Sequence, residues 1–271
     1  MSFLKILYLH FFYRFWDILL PKKYCTIPDF LKKTKNIFIY FDYEREFGGH
    51  STNILDENIK YLIDILERNS IKSTWFTIGK VFEKYSKSID LIEKSGHELG
   101  SHTYAHLAPF YSSFYEIKND FNLFNKIVHE GNHKINGFHS PQGRWAFKNY
   151  KMLKKYNYSY ELVGNNNKSP FVPYYLVYLP AKKFFRLLTT GDDWPVFRDK
   201  IGDKKKIFEY FVGLSDRVRK GEIGGIGFHP WILFSDPNIL SAFEDFLTYI
   251  KNQTDLKIES AFYFYNQLKN D

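Results

Sequence analysis

With 271 residues, 44% of them hydrophobic and 25% charged, the chain is long enough for one large domain and too well mixed for a disordered segment or a membrane bundle. A single cysteine, Cys25, excludes an internal disulfide framework and any cysteine-rich zinc or iron–sulfur site. The net charge of +8 is concentrated at the start: residues 1–35 carry Lys5, Arg14, Lys22, Lys23, Lys32, Lys33 and Lys35 against Asp17 and Asp29 alone. The remainder is close to balanced, so no nucleic-acid groove is expected.

Residues 3–20 (FLKILYLHFFYRFWDILL) are apolar apart from Lys5, His10, Arg14 and Asp17. A spanning helix needs about 20 apolar residues with few charges, and this stretch falls short. A secretory signal needs a small-residue cleavage site, whereas here the aromatics run into Pro21-Lys22-Lys23. Two readings stand side by side. One is an interfacial or partner-binding helix, its basic and aromatic residues suited to an anionic surface such as a membrane. The other is a segment packed on its own domain or closing the bottom of a barrel.

From residue 36 short β-rich runs alternate with amphipathic stretches. The runs are 36–42, 73–78, 97–102, 135–140, 158–163, 184–190, 223–229 and 256–260; the helical candidates are 54–69, 80–95, 112–130, 146–156, 204–220, 237–252 and 262–269. This alternation predicts parallel strands with crossover helices, in the α/β class. Seven or eight such units predict a distorted (β/α) barrel, with 36–271 forming a single domain. Residues 164–182 read as an irregular insertion or a hairpin near the site.

Polar residues close several of these runs. Asp42 ends the first, His102 the third, His139 the fourth and His229 the seventh, while Asp192 and Asp193 follow the sixth. In a parallel barrel the C-terminal strand ends share one rim, where active sites are built. Within Ser101-His102-Thr103-Tyr104-Ala105-His106, a helical turn would place both imidazoles on one face, able to hold a metal ion. Asp42 and Glu44 stand two apart, so an extended backbone points both carboxylates the same way. Metal-assisted hydrolysis needs one acid group to fix the ion and another to take a proton from water, and this pair can divide those tasks. A solvated charge cluster with Arg45 and Glu46 is the plainer alternative.

The segment 61–107 runs helix, Thr-x-Phe strand, helix, then Gly-His-Glu-x-Gly-x-His-x-x-x-His; Gly137-Phe138-His139-Ser140-Pro141-Gln142-Gly143, Gly191-Asp192-Asp193-Trp194 and Gly227-Phe228-His229-Pro230 follow in order. In these motifs the chain resembles the NodB-homology polysaccharide deacetylases, carbohydrate esterase family four, from about residue 36 to 235. The resemblance implies a NodB-type barrel, a divalent metal, most often zinc, and hydrolysis of an N-acetyl group, or another N- or O-acyl group, on a sugar. It implies His102 and His106 as metal ligands, with Asp42 as base and Glu44 as third ligand, the last two roles being exchangeable. His139 stands where the family has Arg; a neutral imidazole there would orient Asp42 without the same charge effect, and Arg144 is the alternative cation. His229 matches the general acid, oriented by Asp193 or Asp192. Trp194 and Trp231 would line the acetyl and sugar surface, and a backbone amide near Ser140 would help stabilise the oxyanion. The Phe-Asp-Tyr-Glu and Asp-Asp-Trp variants resemble a branch encoded with O-antigen and capsule biosynthesis genes, called WbmS-like, which implies a glycan or lipid-linked sugar as substrate. Two competing readings remain: a metal-free amide hydrolase on the same barrel, and a catalytically inactive carbohydrate-binding barrel. His50, His97, His133 and Cys25 are read as structural or surface residues.

Overall fold

The computed structural model describes residues 22–23, 27–50, 54–109, 111–143, 149–164, 174–179 and 182–270. Its strands are β1 (Lys22–Lys23), β2 (Lys35–Tyr43), β3 (Thr74–Thr77), β4 (Glu98–Ser101) and β5 (Ile135–His139). They continue with β6 (Tyr160–Val163), β7 (Tyr174–Leu179), β8 (Lys182–Asp192), β9 (Ile223–Phe228) and β10 (Leu256–Ile258). The ring β2-β3-β4-β5-β6-β8-β9 closes on itself because β9 pairs with both β2 and β8, every contact parallel. Seven strands therefore make a closed, distorted barrel. Outside the ring, β10 pairs with the first residues of β2, and the antiparallel pairs β1-β7 and β7-β8 form a flap on one side.

Strand alternation divides the core. Along β2, Ile37, Ile39, Phe41 and Tyr43 pack outward under the helices, while Phe38 and Tyr40 fill the barrel. The lower interior is completed by Phe76, Tyr160, Leu162, Phe185 and Leu187, and is stoppered by Leu31 and by Phe264 and Leu268 of the last helix, Ala261–Lys269. On β9 the inward positions opposite these rings are Gly225 and Gly227; a methyl group at either would overlap Phe38 or Tyr40. With the bottom full of aromatic rings, the polar interior positions are left at the upper ends of the strands. That is where Asp42, His102, His139 and His229 lie.

The eight expected runs all coincide with strands, and the differences lie between them. The stretch 80–95 is two helices, Gly79–Lys84 and Ser86–Lys94, because Tyr85 leaves the helical region (φ −128°, ψ 44°). Tyr85 turns there to lay its ring against the Arg45 guanidinium at 4.0 Å and its hydroxyl on Glu46 at 2.8 Å. Within 164–182 the hairpin reading is the one realised, with β7 returning antiparallel on β8. Two short helices, Trp194–Arg198 and Pro230–Leu233, are too brief to show any periodicity in sequence. The expected helix over residues 3–20 lies outside the described residues, as does Arg144.

Candidate metal and acid–base site

Asp42 and Glu44 leave the top of β2 in succession, and His102 follows the end of β4. The segment from His102 to His106 is a loop rather than the helical turn expected from its spacing, since Thr103 (φ 68°) and His106 (φ 56°) are left-handed. Its backbone is satisfied by tertiary partners. Tyr104 and Ala105 donate their N–H groups to the Asp120 carboxylate at 2.8 and 3.1 Å, and the carbonyls of Thr103 and Tyr104 accept from Gly79 and Lys80. The two imidazoles converge all the same. Glu44 Oε1 lies 2.9 Å from His106 Nε2 and 3.4 Å from His102 Nε2.

The donors are oriented for a cation. His102 Nδ1 stands 2.9 Å from the His139 carbonyl, which accepts its proton and leaves Nε2 as a lone-pair donor toward Glu44. Two nitrogens and one carboxylate oxygen from Glu44, His102 and His106 lie within 4.8 Å of one another, and a second overlapping group is Asp42, Glu44 and His229. Burial would raise the Glu44 carboxyl, but its close contacts with the surrounding imidazoles outweigh it and hold the group well below its usual range. Burial keeps the His102 imidazole below its usual pKa, the neutral form that ligation requires. This N₂O donor set, with one side facing the barrel mouth, fits a divalent ion such as zinc.

Asp42 sits beside this group in a ring of imidazoles. Its Oδ2 is 3.5 Å from His139 Nε2 and 3.7 Å from His229 Nε2, and its Oδ1 is buried without a hydrogen-bond partner among the described residues. Burial would raise this carboxyl, yet His102, His139 and His229 together bring it below its usual value. His139 is fixed from behind by the Leu162 carbonyl, 2.9 Å from Nδ1. Burial opposes its charge, but the Asp42 carboxylate prevails and raises its pKa. His139 thus stands against Asp42 at the position where an arginine was expected, and this contact favours its protonated form over that of a free imidazole.

On the far side, the buried Asp193 holds His229 at two points, accepting from its backbone N–H at 2.8 Å and meeting Nδ1 at 2.6 Å. Burial would lower His229, and Asp193 overrides this, raising the imidazole well above its usual value. Asp192 instead accepts from the Trp194 backbone N–H, so of the two candidates it is Asp193 that touches His229. Ser140, one residue beyond β5, is buried, and among the described residues its hydroxyl has no hydrogen-bond partner. Trp194 is 38% exposed at the mouth, whereas Trp231 is only 6% exposed and its indole N–H points at Glu44 Oε2, 3.3 Å away.

Three residues of the site went unread in the sequence. Arg45, taken for part of a solvated cluster, is buried with φ 52°; its guanidinium bonds Tyr43 Oη at 2.8 Å, the Ile54 carbonyl and Asp56, pinning the loop that carries Glu44. His50 stacks on Trp231 at 4.0 Å, which brings it to the mouth. Asp120 is the loop anchor, and its signal was available: an acid within the apolar face Ile117, Phe121, Phe124 and Val128 of the helix Phe114–Glu130.

Comparison with known proteins agrees with this architecture. Residues 32–160 match the sequence model of the polysaccharide deacetylase family. A peptidoglycan deacetylase of Helicobacter pylori is 26% identical over 121 residues, 44% of this chain and 40% of its own length, so the chain spans well under half of that relative. Among solved structures, a Mycobacterium smegmatis protein assigned as a polysaccharide deacetylase superposes with a TM-score of 0.76 at 15% identity, covering 93% of this chain and 95% of its own. A Bacillus anthracis pseudoenzyme of the CE4 family superposes at 0.61 with 16% identity, covering 90% and 68%. At these identities the structural likeness establishes the NodB-type fold.

Proposed function

We propose that this chain is a metal-dependent hydrolase that removes an N-acetyl or related N- or O-acyl group from a sugar. The observation that carries the reading is the convergence of Glu44, His102 and His106 beside a separately held carboxylate, Asp42. Glu44, His102 and His106 would hold the ion, and zinc is the cation that suits two imidazoles and one carboxylate. When bound, the metal polarises the acyl carbonyl and acidifies the attacking water. Asp42, kept ionised by the imidazoles around it, accepts the proton of that water as the new C–O bond forms. His229, kept protonated by Asp193, donates its proton to the departing amine as the C–N bond breaks, so that acid and amine leave with protons balanced. For an O-acyl substrate the leaving oxygen takes the same proton. His139 positions Asp42, backbone around Ser140 faces the developing oxyanion, and the exposed Trp194 offers a ring for the sugar to stack on.

The substrate within this reading is a surface glycan or lipid-linked sugar of the O-antigen or capsule type. The basic, aromatic residues 1–35 supply peripheral contact with the inner leaflet on the cytoplasmic side. Among the described residues no helix is long and apolar enough to cross a membrane. A catalytically silent barrel is the second reading, favoured by one observation, the histidine at position 139 in place of arginine. Acetate or formate release from a panel of N-acylated sugar nucleotides, lipid-linked sugars and oligosaccharides separates the two. Turnover that disappears in Asp42→Asn supports the hydrolase, and zinc binding without turnover across the panel supports the silent barrel.

A further inference from the structure

Glu44 carries three rotatable bonds and leaves the sheet one residue beyond the end of β2, so nothing in the strand itself fixes its carboxylate. What fixes it is a cage of neighbours. Gly48 lies so close that a methyl group there would overlap Oε2. The Trp231 Nε1–H reaches the same oxygen at 3.3 Å, and this is the only side-chain donor to it among the described contacts. The indole is in turn held between partners: His50 stacks on it at 4.0 Å and an interplanar angle of 23°, and Phe197 meets it edge-on at 4.8 Å. Each oxygen of Glu44 then has one task. Oε2 is tethered to the indole, and Oε1 is left facing His102 and His106.

We infer that Trp231 is a positioning residue for the metal site, acting through Glu44 rather than through the sugar. The inference rests on the metal-site reading above. An untethered Glu44 has other rotamers open to it, and with the indole N–H removed its buried Oε2 would have no donor, both of which weaken ligation by Oε1. The position of Trp231 follows from its place in the helix Pro230–Leu233, directly after His229, so one turn of chain delivers both the acid and the tether.

The test compares zinc affinity of metal-stripped full-length protein by competition with a chromophoric chelator. Trp231→Phe, which keeps a ring for His50 and Phe197 but lacks the donor, should bind zinc roughly ten- to a hundredfold more weakly than wild type. Phe197→Leu, which loosens the packing of the indole but leaves the donor, should stay within about twofold of wild type. Equal affinity in Trp231→Phe overturns the inference, as does an equal loss in both variants. Should Trp231→Phe fail to fold, the metal-free wild type gives the answer by 15N NMR: the Trp231 indole N–H should exchange slowly with solvent and become fast in Glu44→Ala. Fast exchange in the wild type overturns it. If wild type takes up no zinc, the metal reading fails, and the exchange experiment still reads the tether alone.

Discussion

Asp193 holds His229 by both of its carboxylate oxygens, one on the backbone N–H at 2.8 Å and one at Nδ1 at 2.6 Å. This double grip fixes the ring and keeps it protonated beyond the usual imidazole range. A general acid works only below its pKa, so activity should fall as pH rises through the elevated value for His229. Asp193→Asn removes the charge that overcomes burial, lowering that pKa and moving the alkaline limb of kcat to lower pH. His229→Ala should cost about 10²–10⁴-fold in kcat, the usual span for a lost acid–base group. A pH profile measured on the substrate found by the acyl-release panel checks both; an alkaline limb that stays in place in Asp193→Asn would exclude His229 as the acid.

Asp120 supports the ligand loop from beneath. Its two contacts, with the backbone N–H groups of Tyr104 and Ala105, lie between the paired histidines. Asp120→Ala leaves both donors without their acceptor and should destabilise the protein by about 1–3 kcal/mol. Since the same loop carries His106, zinc affinity should fall alongside stability. Urea denaturation of metal-stripped protein and the chelator competition measure the two separately.

Glu98 is partly buried at the barrel base, where it accepts from Thr74 Oγ1 at 2.8 Å, Tyr160 Oη at 2.6 Å and the Phe262 N–H at 2.9 Å, the last fastening the final helix to the barrel. Burial raises its carboxyl from 4.5 to about 7. In the folded chain it therefore holds a proton between about pH 4.5 and 7 that the unfolded chain has released, and its contribution to stability declines as pH rises through that window. Above about pH 7 the buried charge persists as a cost of roughly 1–3 kcal/mol. Glu98→Gln cannot ionise, so its stability relative to wild type should improve by that amount between pH 5 and pH 8. Parallel denaturant titrations at the two pH values check this, and an unchanged difference would mean Glu98 is ionised throughout.

Gly227 tests the interior packing. A methyl group there meets the Tyr40 ring, which in turn lies edge-on to His139 at 5.3 Å. Gly227→Ala should cost about 1–3 kcal/mol through overpacking and should also disturb Asp42 through His139. A thermal melt reads the first effect and kcat the second.

The barrel was legible because fully buried parallel strands read as unbroken apolar runs, as in Asn36-Ile37-Phe38-Ile39-Tyr40-Phe41-Asp42, and the polar residue closing each run marks the rim. Asp42, His102, His139 and His229 come together from four strands for that reason. The shape of the loop between His102 and His106 was not legible, because its backbone partners are Asp120 and the first turn of Gly79–Lys84 rather than its own neighbours. The same limit applies to Arg45 and Trp231. Both are residue types ordinarily assigned to solvent or substrate, and here both are buried beside Glu44, Arg45 against the Tyr85 ring and Trp231 against the Glu44 carboxylate, partners distant in sequence.

Zinc content after dialysis of metal-stripped protein against a small excess of the ion, measured by elemental analysis, tests the central claim most directly. Wild type should retain one zinc per chain, and Glu44→Ala and His106→Ala should each retain almost none while keeping the wild-type circular dichroism spectrum. Full zinc retention in Glu44→Ala, or none in wild type, would contradict the assignment of Glu44, His102 and His106 as the metal-binding group.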